Sequence, residues 1–137
     1  MTTYVGFADG ANHYALNLGL VAWVLYSPIG DLVSSGGTCL GPSKNNLAEY
    51  HAVIGLLTEA LANYVSQIRV YLDSELVVHH FNRDYTIRGP LLLRMFRRVR
   101  ILERSFEDVS YHHILRHLNN VADSLANFVL DWYLAHA

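Results

Sequence analysis

Asp9, Glu49, Asp73 and Asp123 are the side chains of this 137-residue chain best placed to do chemistry. Asp9 closes the apolar run Tyr4-Val5-Gly6-Phe7-Ala8, and Asp73 closes a second, Ile68-Arg69-Val70-Tyr71-Leu72. Glu49 and Asp123 each stand just inside an expected helix, after Asn45-Asn46 and Asn119-Asn120. Two strand ends and two helix starts can meet at one point of an α/β fold, outside the carboxyl ends of its strands. Four carboxylates gathered there repel one another unless a cation joins them. Hard divalent cations such as Mg²⁺ take oxygen ligands of this kind, so the residue types point to a metal-dependent phosphoryl-transfer site. Each acid also has an ordinary structural reading. Asn46-x-x-Glu49 and Asn120-x-x-Asp123 fit helix capping, in which the third helical residue folds back on the cap. Taken singly, that is the simpler account of both. Asp9 before Gly10 and Asp73 before Ser74 could close any strand. Jointly the four favour chemistry, because buried strands seldom end in a carboxylate and two do so here.

The elements that position these acids are legible in the pattern. Residues 3–9 read as a buried strand and 18–27 as a second, rich in Val, Leu, Trp and Tyr. Ser27-Pro28-Ile29-Gly30-Asp31 is a turn, so residues 31–40 return as a hairpin partner. Gly36-Gly37 weaken the end of that strand and are expected to mark a bulge. Leu47, Tyr50, Val53, Ile54, Leu57 and Leu61 recur at helical spacing and predict a long helix over 46–63. Residues 67–73 make a fourth strand, and Ser74 is a good N-cap for a short helix reaching Phe81. A loop over 82–90 ends in Gly89-Pro90. The next helix, 91–104, has Leu92, Met95, Phe96, Val99 and Leu102 on one side and its arginines largely on the other. Residues 108–115 form a fifth strand. A last helix is expected from Asn120 to Leu134, with Val121, Leu125, Phe128 and Trp132 on its buried face. A meander followed by crossovers implies one mixed sheet with helices packed on it, an α/β fold.

The bulk numbers bound the answer. The length fits one domain over 1–137 with a single core, and 52% hydrophobic residues exclude disorder. One cysteine, Cys39, cannot form an internal disulfide and fits an intracellular, reducing compartment. The longest apolar stretch, Leu18 to Tyr26, is too short to span a bilayer as a helix, so no membrane is expected. The N-terminus shows no secretory pattern. A net charge of −2 argues against tight non-specific nucleic-acid binding by the whole surface. The charge is unevenly spread, however: Arg94, Arg97, Arg98, Arg100 and Arg104 share one short stretch, and Lys44 is the sole lysine. A positive mean hydropathy with so few lysines fits a partly apolar surface, as in a domain cut from a larger protein or one that self-associates.

Four segments together carry a family resemblance: Phe7-Ala8-Asp9-Gly10-Ala11, Lys44-Asn45-Asn46-Leu47-Ala48-Glu49-Tyr50-His51-Ala52, Tyr71-Leu72-Asp73-Ser74-Glu75, and Arg116-x-x-Asn119-x-x-Ala122-Asp123-Ser124-Leu125-Ala126. In this order and at these separations the chain resembles a type 1 ribonuclease H domain over nearly its whole length. It is similar in flavour to short archaeal and plant-type members, including those of plant retroelements. The resemblance implies a ribonuclease H-like fold, a five-stranded mixed sheet in the order 3-2-1-4-5 flanked by helices. It implies a two-metal site, Mg²⁺ with Mn²⁺ as substitute, in which Asp9 bridges the ions, Glu49 and Asp73 serve one and Asp123 the other. It also implies hydrolysis of the RNA strand of RNA–DNA hybrids, leaving 5′-phosphate and 3′-hydroxyl ends.

Substrate contacts to consecutive 2′-hydroxyls fall, by the same likeness, on Gly10, Asn12, Asn45, Asn46, Ser74 and Glu75. The two asparagines are equally good helix caps. His117, six residues before Asp123, matches a loop histidine that helps proton transfer or product release, and a plain surface histidine is its alternative. A retroelement origin would add a reverse transcriptase domain in the same polyprotein. The chain departs from the family pattern twice. Residues 12–19 lack the Asn-Pro-Gly found in many members, and the 82–90 connection is too short for a basic protrusion. Weaker substrate affinity or reliance on a neighbouring domain follows, with the arginines of 94–104 as substitute phosphate contacts or as a solvated helix face. Zinc at His79-His80 or His112-His113 is disfavoured because adjacent side chains point apart. Two rivals remain: a non-cleaving hybrid-binding module of a reverse transcriptase, which would have lost one of the acids, and a DNA nuclease or integrase of the same fold. Asn45-Asn46 and Asp73-Ser74-Glu75 favour hybrids over the latter.

Overall fold

Three strands in succession make the expected meander: β1 (Thr3–His13), β2 (Leu18–Tyr26) and β3 (Leu32–Leu40). The computed structural model describes residues 2–13, 15–42, 47–83, 86–122 and 135. Short loops allow only antiparallel neighbours, and β1–β2 and β2–β3 pair in that way. The crossover helix α1 (Leu47–Ala62) then returns the chain to β4 (Gln67–Leu72), parallel to β1. Helices α2 (Glu75–Phe81) and α3 (Pro90–Glu103) lead to β5 (Asp108–His113), parallel to β4. The sheet order is β3-β2-β1-β4-β5, the order the resemblance implies.

The core lies between α1 and the sheet. Tyr50, Val53, Leu56, Leu57 and Ala60 of α1 meet Ala8, Val21, Leu25, Ile68, Val70 and Leu72. Gly6 permits this closeness, because a Cβ there would fall 2.6 Å from Leu56 Cδ2. Gly36 has a similar task and does not mark a bulge as expected. A side chain at Gly36 would strike the Trp23 indole, which also rests on Gly55. The irregularity in β2–β3 pairing lies at Leu25/Tyr26 instead.

Ser74 caps α2 as predicted, its hydroxyl accepting from the Val77 N–H at 3.4 Å. Pro90 opens α3, where its missing N–H costs nothing. Met95 and Val99 are buried, and Arg94, Arg97, Arg98 and Arg104 are exposed. Arg100 departs from that pattern. Its guanidinium lies 4.5 Å from the Phe96 ring centroid, donates to the Phe81 carbonyl and pairs with Glu103 at 2.8 Å. Glu103 also accepts from the Tyr111 hydroxyl, which ties the ends of α3 and α2 to β5. β5 stops at His113, two residues short of the expectation, and a single 3-10 turn, Arg116–Leu118, follows. The last predicted helix lies outside the described residues from 123 to 134.

Candidate metal centre at the β1–β4 fork

The parallel ladder between β1 and β4 ends at Ala8↔Leu72, and the next residue on each side is an acid, Asp9 and Asp73. β4 leaves the sheet there for α2. β1 does not end at Asp9, as the sequence suggested, but stays paired with β2 as far as His13↔Leu18. Pairing on one side only overrides the weak strand preference of Gly10 and Asn12. The strands thus diverge at Asp9, and the first turn of α1 fills the opening. Gly10 is what allows it: a Cβ at Gly10 would collide with the backbone of Ala48 and Glu49. Its N–H donates to Glu49 Oε1 at 2.9 Å. Glu49 therefore turns toward the sheet, and its expected capping partner Asn46 lies outside the described residues.

One carboxylate oxygen from each of Asp9, Glu49 and Asp73 lies within 4.8 Å of the other two. Asp9 is 3% and Glu49 6% exposed, while Asp73 is half-buried at the edge of an open cavity of about 310 Å³ lined by Asp9, Gly10, Ala11, Glu49, Asp73 and Arg116. The Glu49 carboxyl is held well above its ordinary pKa of 4.5, first by burial and then by the charge of Asp9, with Asp73 adding to it and the Gly10 N–H opposing it. Acids pressed together away from water call for a proton or a cation between them. Glu49 Oε2 is buried with no hydrogen-bond partner among the described residues, a state that proteins rarely tolerate unless an ion or water completes it. A set of convergent carboxylate oxygens suits a hard divalent cation. Among the described residues this trio is the one such grouping. Asp123, Asn45 and Asn46 lie outside the described residues.

Two site residues escaped the sequence reading. Asn119 is 1% exposed, and its Nδ2 donates to the Ala8 carbonyl at 3.1 Å and to Asp73 Oδ2 at 3.5 Å. It clamps the fork from the far side of the sheet's end. Arg116 lines the same cavity. Both belong to the Arg116-x-x-Asn119 motif, whose spacing across a tight turn was the available signal. The other candidates are placed as follows. Ser74 serves α2 as a cap, Glu75 is exposed beside His79 at 3.5 Å, and the Gly10 N–H is engaged by Glu49. Asn12 lies in β1, and His117 is exposed in the 3-10 turn. The histidine pairs are engaged separately: His80 Nδ1 is 2.7 Å from the buried Tyr50 hydroxyl, and His112 Nε2 is 2.8 Å from Ser110 Oγ.

A sheet in this order with acids at its central fork defines the ribonuclease H-like class of α/β proteins. Residues 7–129 match the family described as reverse transcriptase-like. Ribonuclease HI of Halobacterium salinarum is 37% identical over 125 residues, covering 91% of this chain and 63% of that protein. Its crystal structure superimposes with a TM-score of 0.89 at 36% identity over 94% of this chain and 98% of that one. LC11-RNase H1, crystallised in complex with an RNA/DNA hybrid, gives a TM-score of 0.88 at 25% identity over 96% and 99% of the two chains. The bifunctional protein Rv2228c of Mycobacterium tuberculosis is 28% identical over 127 residues, and this chain spans 90% of itself but 34% of that protein. The chain belongs to the reverse transcriptase-like family and is a ribonuclease H-like domain.

Proposed function

We propose that the chain is a Mg²⁺-dependent endoribonuclease that hydrolyses the RNA strand of RNA–DNA hybrids and leaves 5′-phosphate and 3′-hydroxyl ends. The observation that carries this reading is the convergence of Asp9, Glu49 and Asp73 at the β1–β4 fork. The relative crystallised on an RNA/DNA hybrid supports the substrate class. Asp9, Glu49 and Asp73, joined by Asp123, are the residues that would hold the cations. A bound pair lowers the pKa of an attacking water and neutralises charge on the phosphate and the departing 3′ oxygen.

The chain's own residues supply geometry. Glu49 is fixed by the Gly10 N–H and Asp73 by Asn119, while Asp9 is held in the stretch of β1 that stays paired with β2. Ligands fixed on helix and strand need little reorganisation during reaction. Arg116 can offer a planar, permanently charged guanidinium to a phosphate oxygen. Selection for RNA needs the 2′-hydroxyl to be read, a task this reading gives to Gly10, Asn12, Asn45, Asn46, Ser74 and Glu75. This reading gives His117 a part in proton transfer or product release. An intracellular, reducing compartment and a polymerase domain in the same polyprotein complete the proposal.

The test is a cleavage assay with a labelled hybrid, a DNA duplex and an RNA duplex, in Mg²⁺ or in chelator. Only the RNA strand of the hybrid is cut, chelator abolishes cutting, and Asp73→Asn lowers kcat by about 10²–10³-fold, as loss of one preorganised electrostatic group does. Cutting of duplex DNA would transfer the chain to the DNA nucleases. Binding without cutting in both Mg²⁺ and Mn²⁺ would make it a hybrid-binding module.

A further inference from the structure

Helix α3 carries an outward face that its own packing leaves unused. Arg94, Arg97 and Arg98 follow at helical spacing, Arg104 stands at the helix end, and all four are exposed. Among the described residues none of the four has an ion-pair partner, whereas Arg100 in the same helix is neutralised by Glu103. Five of the chain's ten basic residues lie between 94 and 104, although the net charge is −2. Like charges at these spacings repel and weaken a helix, so the stripe does not serve the fold.

Its position relates it to the fork. α1 and α3 start at the same end of the sheet, where Leu47 of α1 and Arg88, Pro90 and Leu92 wall one open cavity of about 430 Å³. Leu47 precedes Glu49 by two residues. Further along the seam lies His51, whose imidazole is held below its ordinary pKa by burial and then by Arg98. The arginine face therefore starts with Arg94 toward the fork end of the sheet and runs away from it along α3.

We infer that this face binds the phosphate backbone of the hybrid beyond the scissile step, an inference that rests on the ribonuclease reading of the fork. A duplex held at the fork and extending over α3 would present regularly spaced phosphates to it. Guanidinium groups match phosphate oxygens in charge and in fork geometry. Contacts of this kind read no sequence, fix the duplex in register and release counterions.

The experiment compares the wild-type chain with a variant carrying Arg94→Gln, Arg97→Gln, Arg98→Gln and Arg104→Gln, and with the four lysine replacements. Melting curves establish that each is folded. Fluorescence anisotropy with an RNA–DNA hybrid in chelator, over a series of NaCl concentrations, reads the slope of log affinity against log salt. The glutamine variant loses about 0.9 from that slope for each phosphate contact removed. Its KM rises more for a long hybrid than for a short one, and the lysine variant recovers the slope. An unchanged slope and KM in the glutamine variant would overturn the inference and leave the face to an acidic protein or to solvent. Absence of hybrid cutting by the wild type would refute the ribonuclease reading alone, since the salt slopes still decide for or against the arginine face.

Discussion

Asn119 is the residue on which the geometry of the fork most depends after the acids themselves. One carboxamide spans Ala8, the last residue of β1 paired with β4, and Asp73, the first residue beyond β4. Asn119→Ala leaves the Ala8 carbonyl without that donor and lets Asp73 swing. The expected stability cost is about 1–3 kcal/mol, the range for a buried polar group left unsatisfied. Turnover falls more than KM rises, which steady-state kinetics on the hybrid would show; an unaltered kcat would mean that Asp73 is held by other groups. Asp9 and Asp73 were legible because carboxylates closing apolar runs are conspicuous in a linear sequence. Asn119 was not, because the burial of a polar side chain depends on what the rest of the chain places around it. The outward limit of β1 was hidden for a similar reason: its last residues are strand only because β2 lies opposite.

At the scale of elements, helix α2 hangs on a cluster that the sequence does not display. Tyr50 of α1, buried beside Glu49, reaches the His80 ring of α2, and Phe81 stacks on Tyr111 with centroids 4.5 Å apart. Burial keeps the Tyr50 hydroxyl protonated, its oxygen lies 2.7 Å from His80 Nδ1, and the neutral His80 ring can take up a further proton. Burial, and then His79, hold the His80 pKa below its ordinary 6.5. The folded chain thus binds this proton less readily than the unfolded chain. Stability falls as the pH drops below about 6.5, the unfolded histidine value, toward the lower folded one. Melting curves across that window should show the decline, and His80→Gln should flatten it while lowering stability at neutral pH. An identical pH dependence in the two proteins would contradict the assignment. Helix and strand positions were otherwise readable to within a few residues, since hydrophobic period decides them. Gly36 was misread because a glycine that makes room for an indole looks, in sequence, like one that bends a strand.

For the molecule as a whole, the acidic fork is a destabilising feature set in a well-packed frame. Ala8, Val21, Val53, Leu56, Leu57 and Val70 are fully buried behind it, and this frame holds charges together that would otherwise part. The pattern of strands and crossovers implied one mixed sheet and the family resemblance its order, whereas the closeness of the acids required the fold itself. If the trio exists to hold cations, it costs stability in their absence and returns it when they bind. A ligand specific for the folded state at 100 times its Kd adds about 2.7 kcal/mol. The decisive measurement is the melting temperature of the wild-type chain and of Asp9→Asn over a titration of Mg²⁺ at constant ionic strength. The wild type should melt at a steadily higher temperature as Mg²⁺ rises. Asp9→Asn should start above the cation-free wild type and stay level. An equal response to Mg²⁺ in the two proteins would contradict a cation site at the fork.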